Sequence, residues 1–252
     1  MTASQPDPAH TRLALRLNEL AQHAERQRTN EPIRVVPVWA SPPDERLLGM
    51  FDEGPPEVPA ALRVVRHRLE TRRGQGLWTF AVTSARDGEG KSTLATQLAL
   101  ALSEAQRARV LLMEASMQRP SLSRILGFEV PKGSGFSVQL ANRMRGVREP
   151  WTVLALGPAL HALVENEAEP GFPQTLHSTH FRNAIERLGR VYDWVVVDAP
   201  SVLGSGDANV VEEAVDGMIV AVRSGTSKGA ALRAAMKQLG NRKALGVVLW
   251  DL

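Results

Sequence analysis

The chain is predicted to fold as an α/β domain: a doubly wound, mostly parallel sheet with helices on both faces, preceded by a proline-rich N-terminal extension. Three observations predict it. Short apolar runs of strand length alternate with segments of helical spacing from residue 77 onward. Such alternation implies parallel strands joined by right-handed crossovers. Three of the polar stretches, at 83–93, Glu114 and Asp198, each follow an apolar run, so they share the carboxyl rim where such sheets bind ligands. Third, nine of the sixteen prolines fall within the first 59 residues, which sets that stretch apart from the rest.

The elements follow in order. Residues 1–58 are expected to form a flexible segment with one amphipathic helix between Thr11 and Arg28, striped by Leu13, Leu17, Leu20, Ala21 and Ala24. Ile33 to Trp39 is an apolar island interrupted by Pro37. Both stretches are read either as partly ordered against the main domain or as a docking arm for another chain. Residues 59–252 form the main domain. It opens with a helix from Ala60 to Arg73, closed by Gly74 and Gly76. Leu77 to Val82 is the first strand, and Leu94, Leu98, Ala101 and Ala105 mark the helix after it. Val110 to Met113 is the next strand, ending at Glu114; a short helix runs to Leu126. Trp151 to Leu156 is a third strand, stopped by Gly157-Pro158, and His161 to Gln174 reads as mixed and loop-like. Phe181–Leu188 is a helix, Trp194–Val197 a buried strand, Met218–Val222 a strand, Ala230–Leu239 a helix and Leu245–Leu249 the last strand.

Between the first strand and its helix stands T-S-A-R-D-G-E-G-K-S-T, residues 83–93. Strand, glycine-rich loop and helix is the setting of a phosphate-binding loop. Gly88 and Gly90 lack Cβ atoms, so the backbone can curl and aim successive N–H groups at phosphate oxygens. Arg86, Asp87, Gly88, Glu89, Gly90, Lys91, Ser92 and Thr93 are therefore the candidate nucleotide-binding residues. Lys91 would reach the outer phosphates, and the Ser92 hydroxyl would ligand Mg2+. Ala85 departs from the strict pattern, which has glycine there. Asp198, closing V-V-V-D, is the second metal candidate, because a carboxylate at a buried strand tip is costly unless it meets a cation or donors. The competing reading makes it a turn residue accepting main-chain bonds before Pro200.

Composition excludes several classes. At 252 residues with ordinary apolar content, a sizeable core is possible. No cysteine is present, so disulfides, thiol nucleophiles and thiolate metal sites are excluded, and a reducing compartment is expected. No apolar run approaches the roughly 20 residues that cross a bilayer, and the N-terminus carries no apolar signal core. A cytoplasmic location is expected, with any place at the inner membrane held through a partner. The net charge of +3 is too small to imply nucleic acid.

The phosphate loop, V-L-L-M-E-A-S-M-Q-R-P and Y-D-W-V-V-V-D-A-P-S-V-L-G-S-G-D-A, in this order, resemble the bacterial tyrosine kinases of polysaccharide export, within the wider group of MinD and ParA ATPases. The likeness runs from about Val58 to the end. It implies a MgATP domain that works with a membrane chain-length regulator in capsule or exopolysaccharide production, oligomerises with nucleotide and phosphorylates tyrosine. Within it Lys91, Glu114 and Asp198 take the catalytic positions. The departures bear on activity. Where the family carries D-x-D, this chain has Glu114 and Ser116. Glu114 moves its carboxylate by about one C–C bond, roughly 1.5 Å, and Ser116 is no resting general base. The family's assembly motif E-x-x-R-x-x-R is matched only by Arg63 and Arg66, Ala60 replacing the glutamate. Trp250 replaces the asparagine after the last strand, either stacking on a base or packing. The family's C-terminal tyrosine cluster has no counterpart before Leu252, and Tyr192 is the only tyrosine. A tyrosine substrate is therefore expected to be another protein.

Arg86 stands where MinD and ParA relatives place a lysine that crosses to a partner's phosphates; it reads equally as a solvent-facing loop residue. His177 and His180 lack the neighbours of a metal site, and Asp207 reads as a helix N-cap. Lys228, Arg233, Lys237, Arg242 and Lys243 form a basic region, read as a solvated face rather than a nucleic-acid surface. Three functions follow: a tyrosine-protein kinase, a nucleotide switch gating a membrane partner without kinase activity, and a positioning ATPase of the MinD/ParA kind.

Overall fold

A computed structural model describes residues 32–41, 57–104, 108–168, 176–240 and 243–250. The amphipathic helix expected between Thr11 and Arg28 lies outside the described residues. The elements are β1 (Ile33–Pro37), α1 (Glu57–Arg73), β2 (Thr79–Ser84), α2 (Lys91–Ser103), β3 (Val110–Glu114), α3 (Leu122–Leu126), α4 (Phe136–Met144), β4 (Trp151–Ala155), β5 (Leu160–Leu163), α5 (Thr179–Gly189), β6 (Trp194–Asp198), α6 (Asp207–Ala214), β7 (Gly217–Arg223), α7 (Gly229–Leu239) and β8 (Ala244–Trp250).

The eight strands form one sheet in the order β1-β4-β5-β3-β6-β2-β7-β8. Every neighbouring pair is parallel except β4 with β5, which return on each other through Gly157-Pro158. The central strands β2, β3 and β6 are buried at every residue. Side chains therefore alternate between two packed faces rather than between core and solvent. On one face Phe80, Val82, Leu112 and Val196 meet α1 and α2 through Leu62, Leu69, Leu94 and Leu98. On the other, Ala81, Leu111, Val195 and Val197 meet α4 to α7 through Phe136, Phe181, Val211 and Ala235. That double cover makes a doubly wound sheet, and it explains why α2 is buried on almost every side.

Two stretches differ from the sequence expectation. Leu160–Leu163 is β5, held between β3 and β4, although the stretch from His161 onward is expected to be loop-like. Four residues are too few to show a period, and their order comes from the two flanking strands. The apolar island at Ile33–Pro37 adds to the sheet as the edge strand β1, parallel to β4, although it lies among the residues set apart as the N-terminal segment. Pro37 ends it, as proline at an edge permits.

Candidate phosphate and metal site

The order β3-β6-β2 brings three strand ends side by side, with Glu114 opposite Asp198 and Asp198 opposite Val82 in register. The loop leaving β2 and the polar strand tips therefore share one rim. Gly88 and Gly90 have φ of 81° and 83°, the left-handed region, so the chain folds over itself before entering α2. Ala85, the departure from the glycine pattern, is buried in the core below the loop, and its carbonyl accepts from Leu203 N at 3.1 Å. Its methyl group has a place in the packing. Glu89 shapes the loop from inside, its Oε2 accepting the Arg86 N–H at 2.9 Å.

No side chain caps the N-terminus of α2. Its first N–H groups have no carbonyl partner within the helix, the arrangement that an anion at a helix N-terminus would complete. Lys91 Nζ lies 3.3 Å from Ser92 Oγ, 3.3 Å from Ser116 Oγ and 3.9 Å from Asp198 Oδ1. Asp198 is fully buried, and neither of its carboxylate oxygens has a hydrogen-bond partner. Burial raises its pKa above the ordinary carboxylate value, while Lys91 and Ser92 pull the other way. A buried carboxylate with two bare oxygens, beside a serine hydroxyl and an uncapped helix end, is an oxygen donor set that suits Mg2+ carried on phosphates. The residues present thus fit a magnesium ion carried on phosphates, and Ser92 and Asp198 are the side chains that would hold it.

Glu114 has a different occupation from the one expected of it. Its Oε1 accepts from Ser121 N at 2.5 Å and Leu122 N at 3.0 Å, and its Oε2 accepts from Glu165 N at 3.1 Å. Burial and the neighbouring Asp198 push its pKa up to about 8, against the pull of those three N–H groups. Both oxygens thus hold main chain, Oε1 the start of α3 and Oε2 the Glu165 N–H just beyond the end of β5. Ser116, the other altered position, accepts a hydrogen bond from Lys91 Nζ on its hydroxyl oxygen.

Trp250 packs on the phosphate loop. Its Nε1–H donates to Glu89 O at 3.0 Å, and a Cβ placed on Gly90 would fall 1.4 Å from Trp250 Cζ2. Arg86 and Asp87 are exposed, Asp87 pairing with Arg119 at 3.0 Å, and Thr93 is half-buried.

The remaining candidates separate. Asp207 is the first residue of α6 rather than its N-cap, which is Gly206, and no side chain caps that helix. Its carboxylate instead takes Gln118 Nε2 at 3.1 Å and His177 Nε2 at 2.9 Å. Sequence reasoning missed this cluster, because its members are 30 and 89 residues apart. His180 lines a different cleft with Arg143 and Trp151. Tyr192 is buried, its hydroxyl 2.7 Å from His161 Nδ1, and burial raises its pKa. Lys243 binds the carbonyls of Glu212 and Glu213 at 2.7 and 3.0 Å, closing the end of α6. Among the described residues no three His, Cys, Asp or Glu side chains gather as a metal cluster, and no helix is long and apolar enough to cross a membrane.

Comparison with known proteins agrees with this architecture. A family model described as cellulose biosynthesis protein BcsQ matches residues 77–247. The tyrosine-protein kinase CpsD of Streptococcus agalactiae serotype III (strain NEM316) is 28% identical over 174 residues, covering 68% of this chain and 72% of that protein. The succinoglycan biosynthesis transport protein ExoP of Rhizobium meliloti (strain 1021) is 29% identical over 175 residues, 68% of this chain but 22% of that protein. The kinase domain of the Escherichia coli tyrosine kinase ETK superposes with a TM-score of 0.69 at 19% identity, covering 92% of this chain and 93% of that one. That likeness concerns the fold.

Proposed function

Because this chain belongs to the BcsQ family of cellulose biosynthesis proteins, we propose that it binds MgATP and acts as a tyrosine-protein kinase in exopolysaccharide or capsule production. The observation that carries the proposal is Asp198, fully buried with both oxygens bare beneath the uncapped end of α2. The main-chain N–H groups of residues 87–93 cradle the phosphates, Lys91 neutralises the β and γ positions, and Ser92 and Asp198 would hold the metal. The metal, when bound, draws charge from the phosphate oxygens. The protein works at the cytoplasmic face of the membrane, held there by a chain-length regulator, and assembles into oligomers with nucleotide. Arg86, exposed on the loop, is the residue proposed to reach a neighbouring copy.

A second reading, a nucleotide switch without kinase activity, draws support from Glu114, both of whose oxygens are taken by main-chain donors. One experiment separates the two. The protein is titrated with MgATP by calorimetry and then incubated with labelled ATP, with and without a membrane fraction containing the regulator, beside Lys91→Ala. Binding with label on a partner's tyrosine supports the kinase. Binding without transfer supports the switch, and no heat at millimolar MgATP refutes both.

A further inference from the structure

A larger cleft, of about 600 Å3, lies between the end of α4 and the side of α5. Trp151, the first residue of β4, stands in it. Because β4 runs antiparallel to β5, this residue lies toward the carboxyl end of β5, on the rim that also carries the phosphate loop. The two sites are nevertheless separate. Four strand steps divide β4 from β2, about 19 Å at the usual spacing of neighbouring strands, and no residue of the phosphate loop lines the cleft. The ionisable side chains on its walls are Arg143, Arg148, Arg187, His180 and a single acid, Glu149. Arg143 is laid over the Trp151 ring at 3.9 Å and donates from Nη2 to the Glu149 carbonyl at 2.7 Å, which fixes the plane of its guanidinium. Arg182 and Arg190, elsewhere along the same side of the molecule, take Glu213 and Glu186 as partners. Among the described residues Arg148 has no such carboxylate. Trp151 Nε1 is buried without a hydrogen-bond partner, an unmet donor at the base of the cleft.

We propose that this cleft is a second anion site, which takes a small organic phosphate. Nothing in it depends on the kinase reading. Three arginines against one glutamate leave the walls with an excess of two positive charges when His180 is neutral. A phosphate monoester carries about −1.5 to −2 near pH 7, so it balances that excess where a lone carboxylate would not. Guanidinium groups also match phosphate oxygens two at a time, and a plane already set by an aromatic ring loses less freedom on binding. The volume decides between a bare ion and a larger molecule, since about 300–1,000 Å3 is the range of clefts that hold a small organic ligand. Met144 and Val147, 44% and 40% exposed on one wall, give the organic part an apolar contact. Asn183, also on α5, offers an amide to its hydroxyl groups. A ligand seated there would touch both the turn after α4 and the exposed side of α5.

The test is calorimetry on the full chain with glucose 1-phosphate, inorganic phosphate and tetraglutamate as probes. It is run in the Lys91→Ala background, so that the phosphate loop does not add its own heat. Glucose 1-phosphate is expected to bind at one equivalent and more tightly than inorganic phosphate. Arg148 is exposed, so its replacement leaves the fold intact. Arg148→Ala should weaken glucose 1-phosphate about 10-fold or more, the scale of a hydrogen bond to a charged group. Arg148→Lys should fall between the two, because it keeps the charge and loses the fork. In the parent protein Arg148→Ala should leave MgATP binding unchanged, so a failure of the MgATP reading does not touch this result. No heat from either phosphate at millimolar concentration overturns the proposal, and so does binding that Arg148→Ala leaves unaltered. Inorganic phosphate as tight as glucose 1-phosphate would remove the organic ligand, and tighter binding of tetraglutamate would make the cleft a dock for an acidic peptide instead.

Discussion

Trp250 is expected to govern affinity for the phosphate chain without touching the base. Its indole N–H holds the Glu89 carbonyl and its ring lies on Gly90, the residue whose φ of 83° lets the loop enter α2. Trp250→Phe keeps an aromatic ring and removes the N–H. A neutral hydrogen bond contributes about 0.5–1.5 kcal/mol net. If all of it serves loop order, affinity falls roughly 2- to 12-fold, because each 1.4 kcal/mol is a factor of ten. Trp250→Ala also withdraws the ring and is expected to fall further. Calorimetry with MgATP and with magnesium tripolyphosphate, which has no base, provides the test. A strut on the loop predicts the same loss factor for both ligands. A base-stacking platform predicts loss for MgATP alone. Unchanged tripolyphosphate binding in both variants would refute the reasoning.

Other perturbations follow from the same geometry. Asp198→Asn takes the carboxylate from a buried ion pair with Lys91, so the ligand-free protein should melt lower and Mg2+ should cease to strengthen nucleotide binding; thermal melts and calorimetry with and without Mg2+ check both. Glu114→Ala strands three N–H groups, each costing about 1–3 kcal/mol when left buried and unpaired, and urea unfolding should register the loss. Tyr192→Phe should cost about 1 kcal/mol for the hydrogen bond to His161 and nothing in transfer to an added acceptor. His161 has its pKa lowered by burial and then by Arg109, so it favours the neutral ring in the fold. Its contribution to stability is full above pH 6.5, the unfolded value, and is lost as pH falls from there through the lowered folded value. A stability–pH curve for His161→Gln should be flatter in that window.

The loop and the sheet were legible because each rests on neighbours in sequence. Gly88 and Gly90 mark a left-handed turn, and β2, β3 and β6 are runs of apolar residues that only a double cover can bury. β5 was not legible, since Leu160–Leu163 becomes a strand only by lying between β3 and β4. Asp207 carried a local signal for a cap, and a distant pair of side chains, Gln118 and His177, overrode it. Local sequence does not choose between stacking and packing for Trp250, because its partner, the Glu89 carbonyl, lies 161 residues away.

The two acidic strand tips show most clearly what burial decides. Glu114 and Asp198 sit opposite each other on adjoining strands, both without exposure to solvent. A carboxylate in that position must find donors or a cation. The extra methylene of Glu114 goes with two main-chain segments that satisfy it, at Ser121–Leu122 and Glu165. Asp198, shorter and facing the loop, meets Lys91 at 3.9 Å and the Ser92 side chain. Two like charges at adjoining tips also disfavour each other, and Glu114 is pushed toward its neutral form. That leaves one bare carboxylate to offer a metal, where a D-x-D arrangement would bring more acidic groups to the same rim. A site built this way depends on the incoming phosphates to complete the metal's shell. The contribution of Mg2+ to binding should therefore grow with the number of phosphates on the ligand, least for a monophosphate and greatest for a triphosphate. Equal Mg2+ dependence for mono-, di- and triphosphate in calorimetry would show that the protein holds the ion by itself.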